Sequence, residues 1–153
     1  MKLQFKRLHP LAQIPYKATT LAACHDVVAT EIIHESESYV RCKLGFAVGL
    51  PEDYKLVLVP RSSLTKTQWL LQNSPGIGDS DFLYEYEFRF RCIAKIWTED
   101  EQSFFEYEDF PYKVGDRIGQ VFIEKVIPIE WVEVDELDIK QSNRVGGYGS
   151  SGK

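Results

Sequence analysis

From Phe82 to Ile96 the chain alternates. Phe82, Tyr84, Tyr86, Phe88, Phe90, Cys92, Ala94 and Ile96 are apolar or aromatic, and Glu85, Glu87, Arg89, Arg91 and Lys95 fill most positions between them. A period of two over this length predicts a long strand with one buried face and excludes a helix, whose buried side would collect charges. On that reading Tyr84 belongs to the core. Shorter strand patterns stand at Leu3 to Arg7, Lys43 to Leu50, Tyr54 to Val59, Arg117 to Ile127 and Trp131 to Val134, closed off by proline-containing turns such as Pro51-Glu52-Asp53 and by Pro60. Thr19 to Ala29 is a small-residue segment, and a polar turn is expected around Glu35 to Ser38. Ser62 to Trp69 is the one candidate helix, short, with Ser62 or Ser63 as its cap.

Between two strand-like runs lies Asn73-Ser74-Pro75-Gly76-Ile77-Gly78-Asp79-Ser80-Asp81-Phe82, whose Pro75-Gly76 and Gly78-Asp79 dipeptides predict a tight hairpin. Such a turn leaves backbone donors and acceptors free for a partner with both, such as a nucleobase edge, or for water. Thr98 to Tyr112 mixes acidic residues with Phe104, Phe105, Tyr107, Phe110 and Tyr112 and reads as a protruding hairpin or an ordered arm. From Gln141 onward the chain is rich in glycine and serine. Many short strands with almost no helix imply an all-β fold: a jelly-roll-like β-barrel or sandwich.

Composition narrows the function classes. The 153 residues suit one domain, and 44% apolar with 27% charged residues is the balance of a soluble globular protein. A net charge of −5 argues against a broad nucleic-acid surface, while leaving room for an anionic ligand gathered by local arginines, loop amides and a divalent cation. The N-terminus alternates instead of forming an apolar block and no run reaches membrane-spanning length, so no membrane partner and a cytoplasmic location are expected. Cys24, Cys42 and Cys92, odd in number and without metal-type spacing, are expected as free thiols, and His9, His25 and His34 as ordinary surface or satisfied residues.

Five stretches, in order, resemble the five motifs of the trimeric dUTP diphosphatases (dUTPases). They are Ala22 to Ala29, Pro60-Arg61-Ser62-Ser63-Leu64, the 73–82 stretch, Gly115-Asp116-Arg117-Ile118-Gly119-Gln120, and Arg144-Val145-Gly146-Gly147-Tyr148-Gly149-Ser150-Ser151-Gly152. Each alone is weak; ordered and spread over nearly the whole chain, they are a strong signal. The acidic-aromatic segment before Gly115 resembles the phage and Firmicute-type branch. The resemblance implies a dUTPase-type β domain over residues 1–140, with an insert at 98–112, and a mobile glycine-rich arm at 141–153 that closes over the active site. It also implies a homotrimer whose sites lie between subunits, in the cytoplasm of a bacterial host if phage-encoded.

The implied activity is Mg²⁺-dependent hydrolysis of dUTP to dUMP and pyrophosphate, which keeps uracil out of DNA and supplies dUMP for dTMP synthesis. Cleavage between the α- and β-phosphates needs charge neutralisation, an oriented water and a base. By resemblance Asp79 orients and deprotonates the water and contacts the 3′-hydroxyl. Asp26 holds a water on Mg²⁺. Arg61, Ser62 and Ser63 meet the phosphates, and Gln120 the α-phosphate region. Asn73 stands where that motif can place a uracil-binding amide, Gly76 belongs to the uracil-reading turn, and Phe82 packs on the deoxyribose. From the arm, Arg144 reaches the γ-phosphate, Tyr148 stacks on uracil, and Gly149, Ser150 and Ser151 bond phosphate oxygens. Asp116 and Arg117 are expected as a structural pair shaping their loop.

Three departures stand in the third motif: Gly78 where the family usually has Ile, Phe82 where it has Tyr, and Leu83-Tyr84 where it has a basic-Gly pair. Two rivals share the fold. A dCTP deaminase-type relative would need a carboxylate at the base, for which Glu85 or Glu87 are the candidates. A catalytically weak dUTPase-like module would bind a regulatory protein through the 98–112 arm.

Overall fold

The computed structural model describes residues 1–99 and 102–137. Among them, twelve strands run in chain order: β1 (Gln4–Arg7), β2 (His25–Val28), β3 (Glu31–Ser36), β4 (Tyr39–Lys43), β5 (Phe46–Gly49), β6 (Tyr54–Pro60), β7 (Trp69–Leu71), β8 (Gly76–Gly78), β9 (Glu87–Cys92), β10 (Lys95–Glu99), β11 (Gln102–Glu106) and β12 (Arg117–Lys125). Two four-stranded antiparallel sheets, ordered β2-β12-β6-β8 and β3-β4-β9-β7, carry the core, and β1-β5 and β10-β11 form two-stranded ribbons. This is the expected all-β, jelly-roll-like sandwich.

The core follows from the strand sequences. On β9, Phe88, Phe90 and Cys92 turn inward while Arg89 and Arg91 face solvent. Phe88 stands opposite Cys42 and Phe90 opposite Val40 on β4, all four buried. In the other sheet β6 lies between β12 and β8, and its Leu56-Val57-Leu58 run is buried without alternation, as befits a strand covered on both faces. The sheets meet at Gly119 of β12. A Cβ there would fall 2.3 Å from two ring carbons of Phe88, so only a glycine lets the ring lie against the opposite backbone. One side of the sandwich is closed by Trp69, whose indole donates to the carbonyls of Glu108 (3.0 Å) and Asp109 (3.1 Å), and by Phe110, which packs on Trp69 and Phe90 at 5.0 and 5.3 Å.

Several expectations need correcting. The long strand from Phe82 to Ile96 is shorter: its regular part is β9, it breaks at Ile93-Ala94, and Tyr84 is 75% exposed, not core. The helix expected at Ser62 to Trp69 is one 3₁₀ turn, Ser62–Lys66, whose first cap is Arg61 with no side-chain bond. Trp131 to Val134 has no strand structure and is exposed, and no strand among the described residues pairs with it. The acidic-aromatic segment divides: β10 and β11 form an exposed hairpin, while Tyr107, Phe110 and Tyr112 pack back onto the core. The polar turn is present at Glu37-Ser38, joining β3 to β4. No helix among the described residues is long and apolar enough to cross a membrane.

Candidate active site

The first element is a buried carboxylate. Asp26 sits on β2 directly opposite Gln120 of β12, which is itself opposite Val59 of β6. That register brings three segments distant in sequence to one point. Asp26 is only 2% exposed, and its Oδ2 accepts from Arg117 Nη1 at 2.9 Å while Oδ1 accepts from Gln120 Nε2 at 2.9 Å. Arg61 Nε stands 3.7 Å from Oδ1, and its Nη1 donates to the Arg117 carbonyl at 3.1 Å. Buried charge is tolerated where it is paired and hydrogen-bonded, and here every carboxylate oxygen has a partner. Arg61, Gln120 and Asp26 are thus brought together, with Ser62 and Ser63 exposed beside Arg61.

Arg117 was expected to pair with its neighbour Asp116. Instead Asp116 accepts from the Lys113 backbone amide at 2.9 Å, and Arg117 reaches across the sheet to Asp26. No local signal marks a partner 91 positions away.

The second element is the 73–82 stretch. It is not a tight hairpin. β7 and β9 are antiparallel neighbours, but the chain between them crosses to the other sheet, where β8 pairs with β6 through Gly76↔Leu58, Ile77↔Val57 and Gly78↔Leu56. β8 ends the order of its sheet, so among the described residues no strand pairs with its outer backbone edge. Asn73 ties the crossing to β9: its amide donates to the Glu87 carbonyl at 3.1 Å and accepts from Arg89 N–H at 2.9 Å. Both ends of that amide therefore serve the turn. Beside β8 lies a concavity of about 440 Å³ lined by Leu58, Asn73, Gly76, Ile77, Phe82, Tyr86 and others. Asp79 follows β8 immediately and is exposed, with its carbonyl accepting from Phe82 N–H at 3.1 Å.

Gly78, a departure from the usual pattern, is explained by Tyr86. A Cβ at Gly78 would lie 2.4 Å from Tyr86 Cε1 and 2.6 Å from its hydroxyl oxygen, so the phenol ring occupies the place of a side chain at 78. Glu85 and Glu87 are held structurally: Glu85 accepts from the Gly45 amide at 2.9 Å, and Glu87 pairs with Arg41 at 3.2 Å and Arg89 at 2.6 Å.

The chain does not bring the two elements together. Arg61 follows the end of β6, whereas Gly78 is opposite Leu56, five positions back along the strand, which at ~3.3 Å per residue puts Gly78 roughly 16 Å from the arginine backbone, with Asp79 beyond it. Arg144, Tyr148, Gly149, Ser150 and Ser151 lie outside the described residues.

Comparison with known proteins decides the family. A model of the dUTPase family matches residues 11–152, nearly the full chain.

The chain belongs to the dUTPase family.

The deoxyuridine 5′-triphosphate nucleotidohydrolase of Helicobacter pylori strain 26695 is 31% identical over 154 residues, covering 99% of this chain and 97% of that protein. That of Zymomonas mobilis is 34% identical over 156 residues, covering 99% and 98%. Among solved structures, Staphylococcus bacteriophage 80alpha dUTPase with dUPNHPP superposes with a TM-score of 0.75 at 25% identity, over 99% of this chain and 98% of that one. The dUTPase from phage phi11 of S. aureus, solved to show its species-specific insert, gives 0.70 at 20% identity over 90% and 99%, a likeness of fold. The resemblance carried by the five motifs, and the phage-like branch, therefore hold.

Proposed function

We propose that this protein hydrolyses dUTP to dUMP and pyrophosphate at sites assembled between the subunits of a homotrimer. The observation that carries the reading is the outer edge of β8 beside the concavity. Backbone N–H and C=O groups of Gly76 to Gly78 can pair with a uracil edge there, and, as the family resemblance implies, a base paired in this way would have no room for the methyl of thymine. Phe82 packs on the deoxyribose and excludes a 2′-hydroxyl, while Asn73 holds the turn in shape.

In the reaction a water attacks the α-phosphorus in line, Asp79 takes its proton, and the bond to the oxygen bridging the α- and β-phosphates breaks, so that pyrophosphate carries away the electron pair. Arg61, with Ser62 and Ser63, stabilises that leaving charge, and Gln120 contacts the α-phosphate region. The arm supplies Arg144 to the γ-phosphate, Tyr148 to the face of the base, and Gly149, Ser150 and Ser151 to phosphate oxygens. Residues 1–140 form the catalytic domain and 141–153 the closing arm.

The donor set fits a Mg²⁺ carried by the triphosphate. Among the described residues no three acidic, His or Cys side chains gather into a cage, but Mg²⁺ keeps most of its waters and needs only one or two carboxylates beside substrate phosphates. Asp26 is the carboxylate that would hold one such water, its oxygens each keeping a lone pair beyond the bonds from Arg117 and Gln120. Bound there, the ion would neutralise phosphate charge and fix the triphosphate's conformation.

Two features support intersubunit assembly. One is the separation along β6, roughly 16 Å from Arg61 to the position opposite Gly78 with Asp79 beyond it, which one subunit's base pocket and another's phosphate cluster would close. The other is the exposed apolar series Ile127, Ile129, Trp131, Val132, Val134 and Leu137, which needs a covering surface. The deaminase alternative is weakened because Glu85 and Glu87 already serve the framework. A second reading, partner binding, is favoured by the β10–β11 hairpin: Ile96 is 63% and Phe105 60% exposed, and Trp97 stacks on Phe104 at 5.8 Å on a ribbon that stands off the sandwich.

The test is pyrophosphate release from dUTP, dTTP, UTP and dCTP in parallel, with ammonia release from dCTP also followed. Turnover of dUTP alone, abolished by Asp79→Asn while nucleotide binding persists, is expected. Turnover of all four, or full activity in the variant, would overturn the reading.

A further inference from the structure

Among the described residues the hydroxyl of Tyr86 has no partner. The residue is 3% exposed and its oxygen is the one buried side-chain polar atom among the described residues without a hydrogen bond. Leaving a buried hydroxyl unmade is unfavourable, and a phenylalanine would fill the same space, so the oxygen calls for a reason. Its position supplies one. Tyr86 lines the base-side concavity, its ring packs on Phe82 at 5.1 Å, and its backbone is fixed on both sides: Tyr86 N–H donates to the Phe46 carbonyl at 3.2 Å, and the Tyr86 carbonyl accepts from Leu44 N–H at 3.0 Å. The ring lies across the α-carbon of Gly78, one residue before Asp79. Burial first, and then the negative charge of Asp79, push the phenol up to about 12, so it is a neutral donor under all working conditions. A fixed neutral donor beside a carboxylate has one natural acceptor.

We propose that Tyr86 is a positioning residue: with nucleotide bound, its hydroxyl donates to the Asp79 carboxylate and fixes the oxygen that faces the attacking water. The inference rests on Asp79 acting as the base in the preceding reading. The free protein keeps the donor waiting and the Asp79 side chain exposed, and occupancy of the concavity turns the carboxylate inward. Gly78 is part of the same device, because any side chain there would displace the ring that carries the hydroxyl.

Tyr86→Phe removes the hydroxyl and keeps the ring. The experiment compares wild type, Tyr86→Phe and Asp79→Asn for dUTP turnover, for binding of a non-hydrolysable imido analogue of dUTP, and for melting temperature. A hydrogen bond to a charged group made only during the reaction predicts kcat lower by about ten- to a hundredfold in Tyr86→Phe, with KM and analogue affinity within about twofold of wild type. The melting temperature of the free variant should equal or exceed that of wild type, because an unpartnered oxygen has gone. Unchanged kcat, or weakened analogue binding at unchanged kcat, overturns the assignment, the latter by showing that the hydroxyl holds substrate. A lower melting temperature with kcat and KM falling in step would show a packing role and overturns it too. If wild type itself releases no pyrophosphate from dUTP, the preceding reading falls as well, so the two failures are distinguishable.

Discussion

Gly119→Ala tests the packing that sets the sheets against each other. The added methyl would sit 2.3 Å from two carbons and 3.0 Å from a third in the Phe88 ring, whereas carbon atoms rest ~3.5–4.0 Å apart, so more than about 1 Å must open. The ring has little room to yield: Phe88 is fully buried, with Cys42 opposite and Phe90 stacked at 6.2 Å. Overpacking of this kind costs about 1–3 kcal/mol, and contacts this short place the change near the upper end. For a domain of this size about 3 kcal/mol corresponds to a fall of roughly 6–12 °C in Tm, measured by scanning calorimetry at one fixed protein concentration because assembly shifts the midpoint. Arg117 and Gln120, which hold Asp26, lie on the same strand, so dUTP turnover should fall at least about tenfold as well. Phe88→Leu in the Gly119→Ala background should recover part of both losses. A variant melting within about 2 °C of wild type, or one that Phe88→Leu does not rescue, would refute the argument.

Deleting the hairpin from Ile96 to Phe105 should leave assembly and turnover intact, since among the described residues β10 and β11 pair only with each other; loss of the trimer on size-exclusion chromatography would show instead that the ribbon is part of its own assembly. Stability should decline with alkaline pH. Burial raises Cys42 from 9.0 to about 12, and burial with Asp79's charge raises Tyr86 from 10.0 to about 12, so the folded chain retains protons that the unfolded chain has released. Melting temperatures measured from pH 8 to 11 should fall progressively above about pH 9, and a flat profile would contradict both burials.

The sequence revealed strands where the apolar pattern is strong, alternating along β9 and unbroken along β6, and hid the short, charge-bearing β3 and β4. Tyr86 to Cys92 alternates because β9 has a wet and a dry face, whereas Tyr84 extends the alternation at a point where the chain has not yet entered the sheet, and it is exposed. β3 and β4 were not foreseen, because their outward positions carry Glu31, Glu35, Arg41 and Lys43 and only pairing with β9 gives the hairpin its core face. The candidate site residues came from an ordered set of motifs, not from geometry. Nothing near Arg117 announces Asp26; only antiparallel pairing of β2 with β12 brings them within a hydrogen bond. Gly78 stood out in the sequence only as a departure from the family's usual Ile, and the ring of Tyr86 fills the space a side chain there would take, a compensation eight residues away.

The length of β6 between Arg61 and Leu56 has a consequence for how activity is inherited by mixtures. Where a base pocket and a phosphate cluster belong to different copies, a chain lacking Asp79 and a chain lacking Arg61 are each inactive alone, yet together they build some interfaces with both residues intact. Mixed trimers would then recover a fraction of wild-type turnover fixed by combinatorial statistics, and dilution would extinguish it faster than in proportion to protein, because separated copies hold only half-sites.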